Sequence, residues 1–314
     1  MTLQQLAYFL ALADVRSFTR AAERMGVAQP TLSRQLRALE EDLGAPLVNR
    51  AQGALTLTPA GEAVLPLARR MLADADSARA AVAEVVGLRR GRVRVGATPS
   101  LCIGVLADVL RVFHDRYPDL HIELSESGSQ PLVSGLERGA LDVAVLVVPQ
   151  QGLDVSLEVT PLLRERLSVA SPRSEPAPSS RGTLTVTELS RRPLVMFRRG
   201  YDLREVTLRA YADAGVEPRF AVEGGEMDAV LRLVETGTGV AVVPDLVFAG
   251  RPRLRRTALT PPLYRTVALA RRVDIAPTPA VQAFRDTLLE FVAETERIGG
   301  SDTDVQVLHR PGPS

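Results

Sequence analysis

Lysine and tryptophan are absent from this chain of 314 residues, cysteine occurs once, at Cys102, and histidine three times, at His114, His121 and His309. One thiol excludes an internal disulfide framework and any metal site built from several cysteines. No two histidines stand at ligand spacing such as i, i+4, so neither a metal nor a cofactor is expected. No apolar run approaches the ~18 residues of a membrane-spanning helix. The opening Met1-Thr-Leu-Gln-Gln5 lacks the basic stretch and apolar core of an export signal. The expectation is a cytoplasmic protein with no membrane partner.

Without lysine, all 38 basic residues are arginine, and they balance 37 acids to a net charge of +1. A GC-rich coding bias accounts for this choice, although arginine also suits bidentate contacts to phosphate, guanine or carboxylate. A balance near zero neither supports nor excludes a nucleic-acid partner, so the local pattern decides. At about 150 residues per domain, the length suggests two domains.

The first 60 residues read as short helices and a small ribbon. Leu3, Leu6, Phe9, Leu10 and Ala13 recur at helical spacing. Ser17 is placed to cap a helix from Phe18 to Met25, which Gly26 ends. Pro30 stands at the opening of a further helix that runs to Leu43 and stops at Gly44. Wound at about 100° per residue, that helix gathers Leu32, Leu36, Leu39 and Leu43 on a core-facing stripe. Its opposite side carries Pro30, Thr31, Arg34, Arg37 and Ala38, while Glu40, Glu41 and Asp42 wait at the far end. A surface helix is often polar outside. A DNA-reading helix additionally needs short hydroxyls and arginines, without acids, near its N-terminus. Arg34 and Arg37 suit guanine or phosphate, and Thr31 or Ser33 suits phosphate or a thymine methyl.

Residues 47 to 58 read as two short strands around Gln52-Gly53, a wing from which Arg50 and Gln52 reach the DNA backbone or minor groove. Thr58 caps a long helix, about Pro59 to Leu88, with Pro66 inside it. Val64, Ala68, Met71, Ala75, Ala78, Val82 and Val85 follow a coiled-coil repeat. That stripe suits pairing with a second copy better than packing on its own chain. From Arg92 the pattern becomes strand, helix, strand, helix, strand: Arg92–Ala97, Pro99 to His114, His121–Ser125, Leu132–Gly139, Asp142–Val148. A similar series follows over residues 165 to 243, then a strand at Thr266–Ala270 and a helix from Pro279 to Ile298. This alternation predicts parallel, doubly wound sheets.

These stretches resemble the LysR-type transcriptional regulators over residues 1 to about 298. The specific segments are Ser17-Phe-Thr-Arg-Ala-Ala-Glu-Arg-Met-Gly-Val-Ala-Gln-Pro-Thr-Leu-Ser-Arg-Gln-Leu-Arg-Ala-Leu-Glu-Glu-Asp-Leu-Gly44, Pro46-Leu-Val-Asn-Arg50 and Leu57-Thr-Pro-Ala-Gly61. Gly91-Arg-Val-Arg-Val-Gly96, Leu136-Glu-Arg-Gly-Ala-Leu-Asp142 and Gly237-Thr-Gly-Val-Ala-Val-Val-Pro244 add weaker support. The resemblance implies a mixed fold: a winged helix-turn-helix over 1–58, a dimerising linker helix over 59–90, and an α/β effector domain over 91–298. That domain is expected to have two Rossmann-like lobes, similar to periplasmic binding proteins, about 91–163 with 264–298 and about 164–263. Residues 299–314 are expected to form a disordered tail. By matching position, Gln29, Pro30, Thr31, Ser33 and Arg34 are the implied DNA readers, with Arg50 on the phosphates. The implied partners are double-stranded operator DNA with an interrupted dyad, a small-molecule effector, further copies forming a dimer of dimers, and RNA polymerase. Ala28 departs from the serine or threonine cap of many relatives, and Val48 from their phenylalanine.

Ligands in open α/β folds sit at the C-terminal ends of strands, and the resemblance places the effector between the lobes. Thr98, Pro99, Ser100 and Leu101 follow the first strand, where the hydroxyls either hold a ligand or simply cap the helix. Phe197, Arg198, Arg199 and Tyr201 follow a second strand. Two arginines beside aromatic residues suggest an organic anion, against the alternative of a solvated basic turn. Gly128, Ser129 and Val148 join the cleft by position. Cys102 begins a helix whose dipole favours a thiolate, yet with no second thiol a small core residue is the simpler reading. The rival of a two-lobed binding protein or enzyme without DNA leaves residues 1 to 90 unused, and no Gly-x-Ser-x-Gly elbow, phosphate loop or dinucleotide fingerprint supports an enzyme.

Overall fold

The computed structural model describes residues 1–49, 55–85, 91–149, 152, 155–295 and 305–308. Two compact units divide the chain, Met1–Leu88 with Gly135–Ala140, and Arg89–Ser134 with Leu141–Ser314.

In the first unit, α1 (Leu3–Val15) opens with a reciprocal capping box between Thr2 and Gln5. The Ser17 hydroxyl accepts from the Arg20 N–H at 3.4 Å to start α2 (Phe18–Arg24). Gly26, at φ +65°, turns the chain toward α3 (Gln29–Leu43). Ala28 precedes α3 without a side-chain cap, as its methyl requires. Leu32, Leu36 and Leu39 are fully buried with Leu6, Phe9, Leu12, Ala21 and Ala22. Leu43 departs from the expected stripe and is 39% exposed, because the helix ends there and Gly44 turns away.

The wing strands β1 (Val48–Asn49) and β2 (Thr56–Leu57) pair antiparallel. The Glu40 carboxylate ties them to α3, accepting from the N–H groups of Leu47 and Val48 at 2.9 and 3.3 Å. The Thr58 hydroxyl accepts from Gly61 N–H at 3.0 Å and donates to the Pro46 carbonyl at 2.6 Å, fixing the start of α4 (Pro59–Val85). On α4, Ala68 is buried whereas Met71 and Val82 are exposed.

The second unit contains two hydrophobic cores. One gathers Val93, Val95, Phe113, Val143, Leu163, Leu269 and Phe284; the other gathers Leu167, Leu194, Phe197, Tyr211, Leu231 and Val243. Around the first lie β3 (Arg92–Ala97), α5 (Pro99–Leu101), α6 (Ala107–Arg116), β4 (His121–Glu126), α7 (Ser129–Glu137) and β5 (Val143–Val147). A π turn, Cys102–Leu106, joins α5 to α6, with Ala107 N–H reaching the Cys102 carbonyl. Around the second lie β7 (Thr183–Leu184), α8 (Val186–Leu189), β8 (Pro193–Phe197), α9 (Asp202–Asp213), β9 (Arg219–Gly225), α10 (Met227–Glu235) and β10 (Ala241–Pro244). Two long strands, β6 (Leu157–Pro172) and β11 (Leu254–Arg272), run through both lobes. Helix α11 (Pro279–Thr295) packs on the first core.

The sheets are mixed rather than purely parallel. Strand β3 is parallel to β4 and β5, but β11 pairs antiparallel with β5 and with β6, and β10 antiparallel with β6. The register between β6 and β11 breaks from Ala258 to Leu263, where one lobe gives way to the other. The expected tail is partly ordered: β12 (Val305–Val307) pairs antiparallel with β6 and buries Val307. Its alternating valines supply one apolar face to an otherwise free strand edge.

Candidate nucleic-acid interface and ligand cleft

Gln29, Pro30, Arg34 and Arg37 are exposed on α3, with Thr31 and Ser33 half-buried beside them. Burial of Leu32 and Leu36 turns this face outward. No side chain of the six makes a hydrogen bond or ion pair among the described residues, so their donors are open to a partner. Arg50 and Gln52 lie outside the described residues.

In the second unit, the segment that follows β4 in one lobe meets the segment that follows β8 in the other. Ser129, at the start of α7, donates from its hydroxyl to Asp202 Oδ2 of the other lobe at 2.7 Å and accepts from Val147 N–H at 3.2 Å. Burial pushes the Asp202 carboxyl above its ordinary value, against the hydrogen bonds from the Ser129 hydroxyl and backbone N–H and the pull of Arg265. Asp202 therefore occupies the N-terminal end of α7, where backbone N–H groups favour an anion. Gly128 approaches Gly200 so closely that a Cβ would stand 3.0 Å from the Gly200 carbonyl oxygen. Val148 closes β5 with its N–H on the Thr266 carbonyl.

Beneath this junction lies a buried ion pair that the sequence reading missed. Arg265 on β11 faces Glu165 on β6 in direct register. Its Nε and Nη2 donate to Glu165 Oε1 at 2.8 and 2.6 Å, and Nη1 donates to Ser100 Oγ at 2.8 Å. The remaining Glu165 oxygen accepts from Leu246 N–H at 3.3 Å. Burial pushes the Glu165 carboxyl above its ordinary value, against the pull of Arg265. The only advance signal was a charge of each sign inside an apolar strand.

Ser100 is thus committed to Arg265, and Leu101 is core. Pro99 starts the helix, and Thr98 precedes it without capping it. Thr98 is 2% exposed and Tyr201 3% exposed, yet neither hydroxyl has a hydrogen-bond partner among the described residues. Phe197 stacks on Tyr201 with ring centroids 4.7 Å apart. Arg198 is paired with Glu226, and Arg199 is exposed on the loop. Of the two arginines expected to meet an anion, Arg198 thus has an anionic partner in Glu226, at the start of α10, while Arg199 stands open on the loop. Burial, with Glu126 adding, pushes the Cys102 thiol up to about 12, which overrides the helix dipole and keeps it protonated. Among the described residues no group of histidine, cysteine or carboxylate side chains is arranged to hold a metal, and no helix is long and apolar enough to cross a membrane.

This pairing of a winged helix-turn-helix with a two-lobed ligand-binding fold defines a DNA-binding regulator. Residues 3–62 match the family described as bacterial regulatory helix-turn-helix protein, lysR family, and residues 87–293 match the LysR substrate binding domain. The chain belongs to the LysR family: it is a ligand-responsive, DNA-binding transcriptional regulator and not an enzyme. It is 34% identical over 253 residues to the HTH-type transcriptional regulator TtuA of Agrobacterium vitis, covering 78% of this chain and 80% of that protein. It is 28% identical to a hydrogen peroxide-inducible genes activator of Dickeya chrysanthemi, over 87% of this chain and 90% of that one. The structure of full-length CbnR complexed with its target DNA is 28% identical, with TM-score 0.66, covering 93% of this chain and all of that one (100%).

Proposed function

We propose that the exposed face of α3, through Gln29, Pro30, Thr31, Ser33, Arg34 and Arg37, reads the major groove of an interrupted dyad operator. Arg50 and Gln52 are assigned to the flanking phosphates or minor groove from the wing. The observation that carries this reading is the outward set of arginine and hydroxyl donors on α3, without intramolecular partners among the described residues. Guanidinium groups in that position suit guanine edges or phosphates. Val64 and Ala68 pack into the first unit's own core, so the rest of the stripe, Met71, Ala75, Ala78, Val82 and Val85, pairs two protomers, and two such dimers occupy one operator. The exposure of Met71 and Val82 supports that pairing. A small molecule between the lobes, at Thr98, Ser100, Gly128, Ser129 and Tyr201, changes their closure and thereby the placement of the dimers, altering access of RNA polymerase in the cytoplasm. Cys102 is the only thiol, so no disulfide can form within this chain.

The test is selection of duplexes from a random-sequence library by the full chain. The expected product is an inverted repeat with a variable centre. Recovery of unrelated sequences without dyad symmetry would overturn the operator reading.

A further inference from the structure

Strands β6 and β11 run through both lobes, and their register breaks between Ala258 and Leu263, opposite Ser168 and Leu167. A break of this kind in strands common to two lobes lets one lobe turn on the other. The Ser129–Asp202 hydrogen bond lies on neither strand. It joins residues 73 apart in the chain, one from each lobe, and so fixes the angle between the lobes at a second point. Each half is mounted on its own lobe. Ser129 Oγ accepts from Val147 N–H of β5 at 3.2 Å while its hydroxyl donates to Asp202 Oδ2 at 2.7 Å, so one buried side chain ties the first lobe's sheet to the second lobe. In the turn that carries Asp202, Arg204 donates from Nη1 to the Phe197 carbonyl of β8 at 2.9 Å and from Nη2 to Glu223 of β9 at 2.7 Å. That turn therefore moves with the second lobe's sheet.

The two backbones meet beside this bond. A Cβ on Gly128 would stand 3.0 Å from the Gly200 carbonyl oxygen, tighter than ordinary van der Waals contact. Gly200 turns at φ +75°, a conformation that glycine adopts without steric cost. An atom the size of a methyl group therefore has no room between these segments while they touch. The bond that holds them is also opposed. Asp202 gives up water to reach Ser129, and burial raises its carboxyl against the hydrogen bonds that hold it. A hydrogen bond to a carboxylate is stronger than a neutral one, yet desolvation of the charge works against it. The net hold is small enough for the differential affinity of a ligand to reverse.

We propose that Ser129 and Asp202, with Gly128 and Gly200 beside them, form a latch that holds the two lobes closed in the ligand-free chain, and that the ligand acts by releasing it. This rests on the effector reading above and gives it a direction. Binding opens the lobes at this point, because the closed contact leaves no space for a ligand atom between Gly128 and Gly200. Breaking the latch by substitution then reproduces the ligand-bound arrangement with no ligand present.

The test uses the full chain carrying Cys102→Ala, with nitroxide labels attached through Gln130→Cys and Arg199→Cys, exposed positions on either side of the latch. Labelled chains are diluted into unlabelled ones, so that each spin pair lies within one protomer, and dipolar coupling reads the separation. The parent should show one short separation. Asp202→Ala should lower the closed-to-open ratio by about tenfold or more, the loss expected for a hydrogen bond to a charged group. Gly128→Ala should shift the ratio the same way while leaving both latch side chains in place, and circular dichroism checks that each variant is folded. The same variants, with no small molecule added, are then bound to the selected operator carrying a fluorophore at each end. An end-to-end distance that differs from the parent's in both variants supports the latch as the switch. Open lobes on an operator complex like the parent's would support the latch and overturn the effector reading that gives it direction. A separation like the parent's in both Asp202→Ala and Gly128→Ala would overturn the latch, as would a parent whose labels already stand far apart.

Discussion

Replacing Arg265 with methionine should destabilise the second unit severely, in a pH-dependent way. The Glu165 side chain is 0% exposed and that of Arg265 3% exposed. Without the guanidinium, the Glu165 carboxylate keeps only the long hydrogen bond from Leu246 N–H, and Ser100 loses its donor. Removing one member of a buried pair costs about 3–5 kcal/mol, because the other charge remains uncompensated. At roughly 2–4 °C per kcal/mol for a unit of about 200 residues, the midpoint should fall by about 6–20 °C. The pH dependence follows from the direction of the Glu165 shift. Its pKa in the folded protein already lies above the ordinary value of about 4.3 and rises further once Arg265 is gone. The native state then holds a proton that the unfolded chain releases. Stability is greatest below the unfolded pKa and falls as pH rises toward the folded one. The deficit of Arg265→Met should therefore be smaller at pH 5 than at pH 7.5, measured by urea unfolding followed by circular dichroism. Pairing it with Glu165→Leu should restore most of the loss, since an apolar pair of similar volume needs no charge compensation. A single variant within about 1 kcal/mol of the parent at both pH values would refute this reasoning, as would a deficit larger in acid.

Leu36→Ala should cost about 2–5 kcal/mol in the first unit, since Leu36 is fully buried beneath the outward face of α3; calorimetry of the full chain reads the loss. Gly61→Ala should destabilise the same unit by at least about 1–3 kcal/mol, because its Cβ would stand 2.1 Å from the Leu47 carbonyl oxygen. Cys102 should react slowly with iodoacetamide at pH 7 to 8 in the native chain and at the rate of a free thiol after unfolding, its thiol being pushed up to about 12. Equal rates in the two states would contradict that burial.

Local signals made the first unit legible. Ser17, Gly26, Pro30 and Gly44 mark helix ends through their own backbone preferences, and the leucine stripe of α3 follows from helical periodicity alone. Non-local pairing hid the rest. Strand β11 spans Leu254–Arg272, yet Arg255, Arg256, Pro261 and Pro262 interrupt its apolar pattern, so only Thr266–Ala270 stood out. Its antiparallel partner β6 lies about a hundred residues away, and nothing local announces that Glu165 and Arg265 share a register position. Likewise, Arg198 and Arg199 are visible as charges, but Glu226, which pairs with Arg198, comes from the start of α10, 28 residues along the chain. Asp202 carries only the local signature of a first-turn acid of α9, and the meeting of the lobes shows it resting on the start of α7. Short alternation at Val305–Val307 carried too little signal against its glycine-rich flank.

The most direct measurement of the central claim is equilibrium binding of the full chain and of Arg34→Ala to the selected operator and to a scrambled duplex, by fluorescence anisotropy over a salt series. Arg34 is exposed and has no partner among the described residues, so the variant should keep the parent's thermal midpoint. Its operator affinity should fall by about 1–3 kcal/mol, with much of the preference over scrambled DNA lost, while both proteins weaken steeply with salt. Equal affinity and equal preference for the two proteins would contradict the assignment of base recognition to the exposed face of α3.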